Sequence, residues 1–152
     1  MTPDAVDPAR LQFAFTAMAH FVFVPLSLGL AVLLAIMESV YVMTGRIVYR
    51  EMTQFRARPF AISFALGVAT GLPLEYQFGT HRAAFAHVAD DVSGLPLAIE
   101  GMMAFFLEST FVGLFLLGWR RLGRGQHLLV AWLLAIGANL SAFWILIANA
   151  WM

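Results

Sequence analysis

Residues 11–42 read LQFAFTAMAHFVFVPLSLGLAVLLAIMESVYV, an apolar run that holds His20 and Glu38. A helix needs about 20 apolar residues to cross the hydrocarbon of a bilayer. This run exceeds that length, so it crosses with tilt or protrudes at one end. Pro25 lies within it and is expected to bend the helix and free a carbonyl. Three further runs of span length follow at residues 60–78, 95–119 and 128–151. The expected fold is all-α: one polytopic transmembrane helical bundle over residues 1–152, with four spans.

Composition agrees. Hydrophobic residues make up 61% of the 152 and charged residues 12%, against about 25% charged in soluble domains. A single soluble core of this size does not bury so much apolar surface. The formal net charge of zero argues against nucleic acid as a partner. Cysteine is absent, which excludes disulfides, thiolate metal sites and covalent haem attachment through C-x-x-C-H. The N-terminal MTPDAVDPAR has no positive n-region, so the first run reads as a retained span rather than a cleaved leader.

Arginine supplies all nine basic residues and sorts by side. Arg46, Arg50, Arg56 and Arg58 fall in the connector expected at Thr44–Pro59, and Arg120, Arg121 and Arg124 in the one after the third span. Arg10 and Arg82 stand alone on the other side. The positive-inside rule then places the Arg-rich connectors in the cytoplasm and both termini on the outer, periplasmic side. The chain stops at Met152 directly after a span, as the N-terminal portion of a longer protein would.

Ionisable side chains at membrane depth are costly and mark function. At a rise of about 1.5 Å per residue, His20, Glu75 and Glu100 fall in the outer half of the membrane, with Glu108 deeper and Glu38 near the inner end. In a regular α-helix, Glu100 and Glu108 point within about 80° of each other, two turns apart, as successive stations of a proton relay would. His20, among phenylalanines, suits a buried iron ligand or interhelical glue. Glu38 is expected to snorkel toward the Arg-rich connector or to pair with it. His81, His87 and His127 fall in connectors and are expected to be solvated. Gly67 and Gly71 form a G-x-x-x-G packing face. Asn139 and Ser141 bond across helices or line a polar path. Trp119 and Trp151 fit an interface belt, and Trp144 is expected within the bundle.

Four blocks carry a resemblance: RLQFAFTAMAHFVFVPLSLGLAVLLAIMESVYV, ALGVATGLPLEYQFGT, PLAIEGMMAFFLESTFVGLFLLGW and NLSAFWILIANAWM. In order and spacing they closely resemble the N-terminal part of subunit I of the cytochrome bd-type quinol oxidases. The resemblance implies a respiratory oxidase of the bacterial inner membrane. It takes electrons from quinol, reduces dioxygen to water and works with a second subunit. It implies that His20 is the axial ligand of a high-spin haem, b595 or d. By the same resemblance Glu100 lies beside the high-spin pair and is a candidate iron ligand, and Glu108 passes protons to it. The ligands of haem b558 and the quinol-binding loop lie beyond Met152. Two other classes compete: a proton-coupled transporter element using Glu75, Glu100 and Glu108, and a non-catalytic assembly subunit whose glutamates pair with partner helices. The first predicts flux without haem absorption. The second predicts that Gln at both 100 and 108 leaves turnover intact.

Overall fold

The computed structural model describes residues 3–81 and 104–150. Helix α1 runs Pro3–Thr44 and α2 runs Ile47–His81. A π-helical turn, Ala104–Glu108, leads into α3, Ser109–Leu117, which tightens into a 3-10 turn at Gly118–Arg120. Helix α4 covers Arg124–Ala150. Three helical stretches are long and apolar enough to cross a membrane: Arg10–Thr44, Ile47–Leu74 and Arg124–Ile147. They match the first, second and fourth expected spans. The third expected span coincides with the π turn, α3 and the 3-10 turn from residue 104 on, and its earlier part lies outside the described residues.

The connector expected at Thr44–Pro59 is corrected. It is only Gly45–Arg46, and Arg50, Arg56 and Arg58 belong to α2. Gly45 adopts φ 68°, the left-handed conformation glycine takes without steric cost. Its N–H donates to Tyr41 O at 2.8 Å, closing the end of α1. Arg, Glu, Met and Gln then favour immediate helix formation. Proline at 59 leaves one carbonyl without its usual donor but does not end the helix. The apolar run therefore begins well inside α2 rather than at its start.

The Arg-rich connector after the third span is shorter than expected too. Helix α4 begins at Arg124, which puts His127 in its first turn. The Gln126 side chain accepts the Gly123 N–H at 3.0 Å, half of a capping box.

Close packing rests on small residues. Ala31 and Ala35 of α1, Ala57 of α2, and Ala131 and Ala135 of α4 are buried around Leu34, Phe60, Phe115 and Leu134. Alanine at these points lets backbones approach. The outward faces are apolar: Phe21 is 82% exposed, Leu117 78% and Leu146 65%, as lipid or partner helices require. Trp144, expected inside the bundle, is also exposed among the described residues.

Candidate functional site

Two histidines organise the two ends of this bundle, and their hydrogen bonding differs. His20 projects from α1 onto the glycine face of α2. A Cβ on Gly71 would lie 3.1 Å from His20 Cε1, and one on Gly67 would lie 3.5 Å from Val24. The G-x-x-x-G face thus seats the imidazole as well as the helix. His20 Nδ1 lies 3.2 Å from both Gly67 O and Thr70 Oγ1. A carbonyl only accepts, so Nδ1 carries the proton and donates. The Thr70 hydroxyl is 2.7 Å from Leu66 O and 3.1 Å from Gly67 O, and donates back to its own helix. Nε2 makes no hydrogen bond among the described residues. Metal-ligating imidazoles are held this way, one nitrogen donating to a carbonyl and the other left as a lone pair.

His20 lines a cleft between α1, α2 and α4. Its walls are Val24, Leu28, Phe64, Val68, Leu134 and Ile145 among other apolar groups, and Glu108 and Ser141 line it as well. The structure thus brings His20 and Glu108 to one cavity. Glu108 closes the π turn, a feature frequent at functional sites. The turn departs from regular α-helical phase over Ala104–Glu108. Glu100 lies outside the described residues. Glu75 lies on α2, in a part whose side chains are not described. Among the described residues no three His, Cys, Asp or Glu gather as a metal cluster. A single imidazole on an apolar cleft fits a porphyrin iron, whose other in-plane ligands come from the macrocycle.

At the opposite end, His127 is buried, and its expected solvation is corrected. Its Nε2 donates to Phe115 O at 2.9 Å, and its Nδ1 is hydrogen-bonded to Glu38 Oε1. Glu38 is 1% exposed. Of the two expectations for Glu38, snorkelling to the connector fails, and its partner is this histidine rather than an arginine. Phe115 O sits where α3 tightens, so the imidazole takes up a carbonyl the helix end leaves free. Trp119 packs on the ring at 4.0 Å between centroids. One imidazole thereby ties α1, α3 and α4 together. The apolar layer of Ala31, Leu34, Ala35, Phe115 and Leu134 lies between this pair and the cleft. Asn139 donates to Ala135 O of its own helix at 2.8 Å and does not serve as a cross-helix bond there.

A family model described as cytochrome bd terminal oxidase subunit I matches residues 8–152. The chain is 61% identical over 149 residues to the cytochrome bd-II ubiquinol oxidase subunit 1 of Escherichia coli (strain K12), covering 98% of this chain and 29% of that protein. It is 46% identical over 144 residues to the cytochrome bd ubiquinol oxidase subunit 1 of Bacillus subtilis (strain 168), covering 95% and 31%. Among solved structures it is similar to the bd oxidase from Geobacillus thermodenitrificans, with TM-score 0.80 and 30% identity, over 93% of this chain and 33% of the other. The chain thus spans about three tenths of the length of these curated relatives.

Proposed function

The chain belongs to the cytochrome bd terminal oxidase subunit I family, and on that premise we propose that it supplies part of the high-spin haem pocket and of the proton pathway of a quinol oxidase. The complete enzyme takes electrons from quinol and reduces dioxygen to water in the bacterial inner membrane, together with subunit II. When bound, haem supplies electron transfer and the site at which dioxygen is held. His20 would hold the iron of b595 or d through Nε2. Gly67 and Thr70 fix the tautomer and the ring plane. Phe64, Val24 and Leu134 exclude water from that face. Glu108 holds and passes a proton at its carboxyl group within the same cleft, and Glu100 tunes or ligates the site. The haem b558 ligands belong to sequence beyond this chain. The arginine distribution sets both termini on the periplasmic side, so protons reach the cleft from the cytoplasm.

The observation that carries this reading is the pairing of a tied Nδ1 with an uncommitted Nε2 on an apolar cleft shared with Glu108. In the assembled enzyme, His20→Ala is expected to remove one high-spin component from the absorption spectrum. Glu108→Gln is expected to keep the spectrum and lower turnover by about 10²–10⁴, the usual contribution of a positioned proton donor. A wild-type spectrum in the His20 variant refutes the ligand assignment.

A further inference from the structure

We propose that the cavity beside Glu38 and His127 binds the headgroup of a phospholipid that carries both a phosphate and a hydrogen-bond donor, such as an ethanolamine ammonium. The cavity holds about 480 Å³ and is lined by Glu38, Tyr41, Arg50, Trp119, Arg124 and His127, with Leu122. It opens where α1 ends at Thr44, α2 begins at Ile47 and α4 begins at Arg124. Headgroups lie at this level if these three helices span the bilayer.

The charges do not cancel within the protein. Glu38, the carboxyl group that lines the cavity, is paired with His127. Arg50 and Arg124 have no ion-pair partner among the described residues. Each is instead set over an aromatic face: the Arg50 guanidinium lies 5.7 Å from the Trp119 ring and that of Arg124 lies 5.5 Å from Tyr41. A guanidinium held against an aromatic face by cation–π attraction can still turn N–H groups to a phosphate. Basic pockets between spans on the cytoplasmic side are known sites for anionic headgroups.

A second observation selects the kind of headgroup. Glu38 Oε2 is buried and has no hydrogen-bond partner among the described residues. A buried acceptor left unmade is costly. A phosphodiester by itself brings no donor and places negative charge near that oxygen. An ethanolamine or glycerol headgroup brings a donor directly to it, while its phosphate meets Arg50 and Arg124. Choline, with no N–H or O–H, cannot do so.

The test uses the intact, detergent-purified complex that contains this chain. Native mass spectrometry counts bound phospholipid during titration with short-chain phosphatidylethanolamine, short-chain phosphatidylcholine or inorganic phosphate. The expected result is one phosphatidylethanolamine held at least about tenfold more tightly than phosphatidylcholine, a ratio in keeping with one charge-assisted hydrogen bond. Inorganic phosphate at equal concentration leaves it in place, and Arg50→Gln with Arg124→Gln loses it. Equal binding of the two lipids, displacement by inorganic phosphate, or wild-type retention in the double variant overturns the proposal. The lipid competition on wild-type protein decides even if the double variant does not assemble.

Discussion

His20 and His127 are the same side chain put to opposite uses at the two ends of one bundle. His127 is buried with both ring nitrogens engaged, one on Glu38 and one on the Phe115 carbonyl. His20 is half-buried, shares one nitrogen between two acceptors on α2 and, among the described residues, makes no hydrogen bond with the other, on a cleft. A fully satisfied imidazole has nothing left to offer a ligand, and its bonds go into holding helices. An imidazole with one nitrogen tied and one free is oriented for coordination. The more buried histidine is the one with both ring nitrogens engaged, so burial alone does not point to the proposed ligand.

The comparison can be broken in several ways. The largest effect on stability is expected from His127→Ala, which strands a buried carboxyl group and frees the end of α3. Removing one partner of a buried pair costs about 3–5 kcal/mol. Thermal unfolding of the intact complex should show the loss, while the folded fraction keeps its haem spectrum. Glu38→Gln keeps a donor for His127 Nδ1 but gives up charge assistance, so a smaller loss of about 1–3 kcal/mol is expected by the same measurement. A haem signal that disappears with either substitution in folded protein would erase the distinction between the two sites.

Gly71→Ala sharpens it from the other side. Its Cβ would meet His20 Cε1 at 3.1 Å, so the ring must give by a few tenths of an ångström. Overpacking of about 1 kcal/mol is expected, together with a shifted high-spin band rather than a lost one. The smallest effect belongs to Thr70→Val. It removes one of two acceptors shared by Nδ1 and leaves Gly67 O in place, for about 0.5–1.5 kcal/mol and little spectral change.

Much of this was legible in the sequence, and the rest was hidden for identifiable reasons. Apolar runs located α1, α2 and α4, because lipid imposes its length on any span. They did not locate helix ends: hydropathy falls at Arg56 and Arg58, yet nothing there stops a helix until Gly45 is reached. The cost of an ionisable group in an apolar span pointed to His20 and Glu108 together. The same logic misjudged His127, because hydropathy assigned it to a connector. Its burial comes from meeting Glu38 across the fold, and no local pattern encodes that contact. The π turn before Ser109 likewise has no signature in AFFLE.

The most direct test of the account replaces His20 with Gly in the intact complex and adds exogenous imidazole. Low-temperature absorption and resonance Raman spectra would be recorded with and without it. The account predicts that one high-spin component and its iron–imidazole signature vanish, then return when free imidazole occupies the vacated position. A variant that retains the full wild-type signature without added imidazole would contradict it, since the iron would then be held by another residue.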